Sequence, residues 1–79
     1  MQVLVKLLGT LPAYYPGSYP ATGLALTLPA AATVADLVTI LGLPEDRLAM
    51  VTINDVLARA DQSIPANAII KFLQPLAGG

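Results

Sequence analysis

Short apolar segments separated by turn residues predict five strands along the chain. Alternation over residues 3–8 predicts a first strand with Lys6 on its solvent face. The predicted core residues of this strand are Val3, Val5 and Leu7. The other predicted strands are Gly23–Leu28, Leu48–Ile53, Val56–Ala58 and Ile69–Leu73. Glycine, proline, asparagine and aspartate are frequent between these segments, as is typical of turns.

One segment has helical rather than strand periodicity. Its apolar residues recur at the spacing of a single helix face: Val34, Leu37, Val38 and Leu41. Thr33 precedes this face and Asp36 follows three residues later, which is a variant of the capping box. Gly42 is placed to end the helix in a left-handed conformation, and Pro44 prevents its continuation. The pattern therefore predicts a helix over residues 34–41.

The predicted order of elements is strand, strand, helix, strand, short strand, strand. One helix can cover only one face of a sheet, so this order predicts a two-layer α+β domain with an open sheet face. The first two strands should pair antiparallel, and the third should direct Ala49, Val51 and Ile53 to one face. We expect the domain to span residues 1–74, followed by a flexible tail over residues 75–79.

The segment over residues 10–22 is predicted to be a long loop because three prolines and a glycine interrupt it. It carries all three tyrosines of the chain, Tyr14, Tyr15 and Tyr19. In one interpretation the rings cover the edge of the core. In the other they contact a protein partner, since tyrosine is favoured at interfaces. The sequence leaves both interpretations open.

Composition narrows the possible functions. The chain of 79 residues is one small domain and contains neither cysteine nor histidine. Zinc binding by those residues and histidine-based acid–base catalysis are therefore excluded. The net charge of −1 provides too few basic residues for a nucleic-acid surface or a polybasic membrane patch. Prolines interrupt every apolar stretch that could span a membrane. We expect a cytoplasmic protein with no nucleic-acid or membrane partner.

The high apolar content points to a protein partner instead. Hydrophobic residues make up 56% of the chain and charged residues 11%. A domain of this size cannot bury such a surplus completely, so part of it is expected to face a partner. A catalytic role is disfavoured, because serine and threonine hydroxyls lack a histidine to activate them. Glu45 and Asp46 are adjacent in a turn beside Arg47, which favours a solvated turn over a catalytic pair.

The C-terminal half carries a resemblance to a known family. The segments involved are Ile53–Asp55, Ala66–Ala68 and Ile70–Gly79, closing with Gly78-Gly79. They resemble the ThiS/MoaD family of ubiquitin-like sulfur carriers, and Thr33–Leu37 resembles the start of that family's helix. Asp55 and Asn67 replace glycines that are usual there, and Gln74 replaces a common proline. Asparagine and aspartate visit the left-handed region more readily than most residues, so the turns can tolerate these changes. Asn54-Asp55 is predicted to be a turn pair that tolerates positive φ, and Asn67 is predicted to be the left-handed residue of its turn.

The resemblance implies a β-grasp fold, with a mixed four- to five-stranded sheet and one main helix on one face. It also implies that the chain is a carrier and not an enzyme, with no metal and no permanently bound cofactor. A partner adenylating enzyme would join the Gly79 carboxylate to AMP, using ATP and Mg²⁺. A sulfur donor enzyme would then displace AMP and leave a thiocarboxylate. Gly78 would let the tail thread a narrow channel, because glycine has no Cβ.

Several destinations for the sulfur remain open. The interpretation we favour is molybdopterin or tungstopterin synthesis, with a molybdopterin synthase catalytic subunit as partner, because the first loop is long. One alternative is thiamine thiazole synthesis, with a thiazole synthase as partner. Another is a ubiquitin-like modifier joined to proteins through Gly79. A plain binding module, in which Gly78-Gly79 has no role, is of a different class.

The open sheet face is the predicted site of partner docking. Its candidate residues on the first and last strands are Leu4, Lys6, Leu8, Ile69, Lys71 and Leu73. Pro75 and Leu76 are candidates close to the tail. The alternative explanation is chance exposure of apolar residues, which is common on soluble proteins.

Overall fold

Five strands and one helix form the part of the chain that the computed structural model describes, residues 1–74. Their bounds in chain order are β1 Gln2–Leu7, β2 Leu24–Thr27, α1 Val34–Leu41, β3 Met50–Ile53, β4 Val56–Ala58 and β5 Ile69–Leu73. The strands form a single mixed sheet in the order β2-β1-β5-β3-β4. β1 and β5 pair parallel at its centre, and the other neighbours pair antiparallel. The predicted two-layer α+β fold is confirmed, with five strands.

The core lies on one face of the sheet, between the sheet and α1. Val5, Ile70 and Leu37 are completely buried there, and Phe72 is 1% exposed. The predicted inward residues of β1 (Val3, Val5 and Leu7) are all buried, because their side chains alternate with those of the open face. The core cluster contains 17 buried hydrophobic residues. Their burial stabilises the domain, although a chain of this size buries a smaller share of its surface on folding than a large one.

The helix α1 begins and ends at the predicted residues, Val34 and Leu41, because residues next to each end cap it. The Thr33 hydroxyl accepts a hydrogen bond from the Asp36 backbone N–H at 3.2 Å, and the Asp36 carboxylate accepts one from the Thr33 N–H at 2.9 Å. This reciprocal capping box supplies partners for two donors that a helix start leaves unpaired. Gly42 ends the helix at φ 72°, a conformation that most side chains disfavour.

The turns on the β3–β5 side use residues with positive φ. Ile53 pairs with Val56, so Asn54 and Asp55 form a two-residue hairpin loop. Their φ angles are 51° and 68°, as the tight hairpin turn between right-twisted strands demands. Asn67 also adopts the predicted left-handed conformation, at φ 62°. Asparagine and aspartate therefore support these turns in place of glycine.

Residues 10–22 are more ordered than the loop prediction implied. Leu11–Tyr14 forms a short 3₁₀ helix, and Leu11 is completely buried, which the proline-based prediction missed. Tyr15 and Tyr19 pack against the core, as the covering interpretation predicted. The Tyr19 hydroxyl also accepts a hydrogen bond from the Leu7 backbone N–H at 2.9 Å. Tyr14 is exposed, and the Arg47 guanidinium lies 5.4 Å from its ring centre.

The prediction for the third strand was wrong at its start. β3 begins at Met50 instead of Leu48, and Ala49 is exposed rather than part of the core. A 3₁₀ turn over Glu45–Arg47 precedes it and sets the chain direction up to Leu48. The predicted inward residues Val51 and Ile53 are buried.

Candidate functional site

The predicted docking residues of the first and last strands lie together on the face of the sheet opposite α1. Pairing across the central strands places Leu4 beside Ile69 and Lys6 beside Lys71. Residues paired across neighbouring strands share a face, so these side chains form one surface. We call this surface the docking face; its members in the first and last strands or directly after them are Leu4, Lys6, Leu8, Ile69, Lys71 and Leu73. They are half-buried or exposed, with Leu8 at 39% and Ile69 at 40%. Their role in docking stays a prediction.

Strands β3 and β4 extend the docking face with residues that the sequence did not identify as candidates. Met50 pairs with Leu73, and Thr52 lies between Lys71 and Leu57. Met50 is 47% exposed and Leu57 is 64% exposed, so both present apolar surface beside the predicted residues. The alternation of the third strand placed Met50 and Thr52 opposite the core. Only the strand order places them next to β5, and no local signal predicted that order.

Two lysines lie side by side near the centre of the docking face. The Lys71 ammonium forms an ion pair with the Asp55 carboxylate at 2.9 Å, from the hairpin between β3 and β4. The hydrogen bond from Lys71 lowers the pKa of Asp55, as do the positive charges of Lys71 and Lys6. In residues 1–74 the ion pairs are Lys71–Asp55 and Arg59–Asp61, so Lys6 has no carboxylate partner there. The docking face is therefore apolar with a surplus positive charge.

The hairpin that carries Asp55 is itself fixed to β5. The Asn54 backbone N–H donates to the Ile69 carbonyl at 2.8 Å. In return, the Asn54 side-chain oxygen accepts a hydrogen bond from the Ile69 N–H at 2.9 Å. This double contact holds Asp55 within reach of Lys71, which explains why the ion pair forms although the Asp55 side chain is exposed.

The last strand, β5, ends next to the docking face. The backbone is held on both sides there: the Phe72 carbonyl accepts from the Leu8 N–H at 3.1 Å, and the Leu73 carbonyl accepts from the Ala49 N–H at 2.8 Å. Gln74 is the last residue described. The remaining predicted site residues lie outside the described part of the chain: Pro75, Leu76, Gly78 and Gly79.

The described residues show no grouping suited to metal binding. Within residues 1–74, no three histidine, cysteine, aspartate or glutamate side chains lie together. A groove of about 330 Å³ lies between α1 and the start of β3, with walls that include Val38, Leu48 and Val51. Glu45 is the ionisable residue among its described lining residues. No α-helix in residues 1–74 has the length and apolar character needed to cross a membrane.

A family model decides the classification of the chain. The model of the ThiS family matches residues 15–79, which include Gly78-Gly79. The chain belongs to the ThiS family. Membership places it among the small ThiS/MoaD-like sulfur carriers. Carriers of this kind work with adenylating enzymes and synthase subunits.

Solved structures share the β-grasp fold over nearly the whole chain. SAMP1 from Haloferax volcanii superimposes with a TM-score of 0.72 at 20% identity, covering 100% of both chains. A Pyrococcus furiosus protein provisionally described as molybdopterin converting factor, subunit 1, gives a TM-score of 0.74 at 15% identity. A second structure of the H. volcanii small archaeal modifier protein 1 gives 0.70 at 19% identity. The latter two comparisons each cover 95% of this chain and 98% of the other. None of the curated proteins is similar enough in sequence to count as a match.

Proposed function

We propose that this member of the ThiS family is a sulfur carrier whose reactive group is the carboxylate of Gly79. The observation that carries the proposal is the family match, which continues through the final Gly78-Gly79. The body of the domain supports it in a second way. The segment that ends in Gly79 starts beside an apolar, positively charged sheet face, which is suited to a protein partner.

The proposed chemistry needs no side chain of this protein. A carboxylate oxygen of Gly79 attacks the α-phosphate of ATP held by a partner adenylating enzyme, and pyrophosphate leaves. A sulfur nucleophile from a donor enzyme then attacks the carbonyl carbon, and AMP leaves with the electron pair of the broken C–O bond. Where that nucleophile is the outer sulfur of a persulfide on the donor, a thiol of the donor then attacks the inner sulfur of the acyl disulfide; a disulfide forms on the donor and the thiocarboxylate is left on Gly79. The domain contributes recognition by its docking face and delivery of the C-terminus.

Covalent geometry limits where the partner's reactive site can lie. Five residues follow Gln74. A fully extended chain spans at most about 3.3–3.6 Å per residue, which allows roughly 17–18 Å beyond Gln74. When the docking face is engaged, the partner's ATP site must lie within that distance of Gln74. Docking and reaction are therefore coupled by a short tether, which raises the effective concentration of the carboxylate.

Among sulfur carrier pathways we favour synthesis of a molybdopterin or tungstopterin cofactor, with a molybdopterin synthase catalytic subunit as the acceptor. The long first loop and the similarity to the P. furiosus molybdopterin converting factor support this assignment. Thiamine thiazole synthesis, with a thiazole synthase, is the alternative within the family. The similarity to two structures of an archaeal modifier protein supports a second candidate, a modifier conjugated through Gly79. The cytoplasmic location stays a prediction.

Intact-mass measurement of the protein purified from its native host tests the proposed function. We expect part of the full-length chain to gain the mass difference between one sulfur and one oxygen atom. Iodoacetamide should alkylate the thiocarboxylate sulfur of that form. The label is specific, because the chain contains no cysteine that could also react. A ladder of larger conjugates cleaved by an isopeptidase would support the modifier instead. An unmodified mass together with an absence of conjugates, under both sulfur-replete and sulfur-starved growth, would contradict both.

The docking face can be tested by removing its exposed apolar side chains. The double variant Leu8→Ser and Ile69→Ser should bind the adenylating enzyme at least about tenfold more weakly, because each truncated anchor at an interface costs about 1 kcal/mol or more. The matched control is the double variant Ile40→Ser and Val56→Ser. Neither residue belongs to the docking face, and their exposed fractions are 53% and 65%. Isothermal titration calorimetry measures both. Equal affinities for the two double variants would exclude this face as the docking site.

A further inference from the structure

The side chain of Gln74 makes contacts that the carrier chemistry does not require. Its Oε1 atom accepts a hydrogen bond from the Thr10 backbone N–H at 2.8 Å and a second one from the Thr10 hydroxyl. The two residues are 64 positions apart in the chain, so the contact joins the end of β5 to the segment after β1. Among residues 1–74, the hydrogen bonds between neighbouring strands hold β5 as far as Leu73. The side chain of Gln74 thus extends the fixed backbone by one residue.

The acceptor site for this side chain is built by its neighbours. Gly9 adopts φ 64°, and a Cβ at that position would lie 2.7 Å from the Gln74 Cδ atom. The missing side chain at Gly9 therefore leaves room for the Gln74 amide. Thr10 is held in turn, because its carbonyl accepts from the Ala13 N–H at 3.1 Å and the next residue, Leu11, is completely buried. The donors that hold Gln74 are themselves anchored to the core.

We propose that Gln74 is a positioning residue that fixes the direction in which the C-terminal segment leaves the domain for the partner's reactive site. This inference rests on the proposed function of Gly79. Because its side chain is already bound to Thr10, Gln74 does not have to be ordered when the carrier docks. Each residue ordered on binding costs conformational entropy, so a pre-fixed exit favours productive docking. Neither the capture of sulfur nor the chemistry at the carbonyl carbon involves the Gln74 amide.

Full-length Gln74→Ala tests the proposal in the pyrophosphate exchange reaction of the partner adenylating enzyme. From the entropy of one freed residue, we expect the KM for the carrier to rise roughly 5- to 30-fold, with kcat changed less than about 2-fold. Gln74→Glu keeps acceptor oxygens for both Thr10 donors and should return KM to within about 2-fold of the unmodified chain. The matched control is Gln2→Ala, which removes an exposed Gln–Thr hydrogen bond of 2.8 Å, to Thr27, from the other end of β1.

An NMR readout separates failure of this inference from failure of the proposed function. The heteronuclear NOE of the residue 74 amide should fall in Gln74→Ala and stay unchanged in Gln2→Ala, and the Thr10 amide should exchange faster. An unchanged NOE at residue 74 overturns the inference, whatever the enzyme does. An unchanged KM for Gln74→Ala also overturns it, provided that the unmodified carrier is adenylated. If the unmodified carrier is not adenylated at all, the proposed function fails, and the NOE alone decides whether Gln74 fixes the exit.

Discussion

Deletion of Gly79 should leave the domain folded and abolish thiocarboxylate formation. Within residues 1–74 the core consists of residues between Val3 and Phe72, so we expect the domain to keep its fold without Gly79. The deletion shortens the chain by one residue and presents the carboxylate of Gly78 one position too early for the partner's reactive site. Because near-attack geometry contributes many orders of magnitude to rate, the loss should bring the modified mass below detection. Intact-mass analysis and thermal unfolding of the same sample measure both effects.

A chain extended by one alanine after Gly79 provides the second arm of this experiment. It keeps both glycines and converts the reactive carboxylate into an amide. We expect the extended chain to bind the adenylating enzyme with nearly the affinity of the unmodified chain, since the docking face is untouched, and to form no adenylate. Normal sulfur loading of either variant would contradict the assignment of Gly79 as the reactive residue. A lower melting temperature of the truncated chain would show instead that the C-terminus contributes to the fold.

The parts of the fold that were predictable from the sequence depend on interactions between near neighbours. The capping box of Thr33 and Asp36 and the left-handed Gly42 defined α1 because each acts within one helical turn. The left-handed residues Asn54 and Asn67 were predicted for the same reason, since their side chains favour turns irrespective of the rest of the fold. Ala31, at φ 67°, was not predicted, because alanine carries no such signal.

Contacts between distant segments account for what the sequence did not predict. Leu11 lies among prolines, and its burial depends on how residues 10–22 fold back on the sheet. The Tyr19 hydroxyl, instead of a carbonyl on a neighbouring strand, accepts the hydrogen bond from the Leu7 N–H. The Gln74 side chain accepts a hydrogen bond from the Thr10 N–H, 64 positions away in the chain. None of these contacts produces a periodic pattern. Each follows from the pairing order of the strands, which the loop lengths alone did not determine.

The candidate site shows the same division. Alternation in β1 and β5 predicted which of their residues lie opposite the core, and the parallel pairing then places Lys6 beside Lys71. The contribution of Met50 and Leu57 required the position of β3 between β5 and β4. Asp55 was recognised only as a turn residue, because its ion pair with Lys71 depends on that same strand order. The face to which a side chain points is thus predictable from its own strand, whereas the set of residues that share a surface depends on the order of the strands.

Leu37→Ala should destabilise the domain by about 2–5 kcal/mol, the range observed when a buried leucine is truncated and a cavity remains. Leu37 is completely buried at the centre of the apolar face of α1, and alanine is the best helix former, so the loss comes from packing rather than from helix propensity. A domain of this size has a total stability of only about 4–12 kcal/mol, so the variant could lie close to unfolding. Ile40→Ala on the same helix is the matched control: Ile40 is 53% exposed, and its truncation should change stability by no more than about 0.5 kcal/mol. Urea unfolding followed by circular dichroism measures both, and similar losses for the two variants would contradict the packing of α1 on the sheet through Leu37.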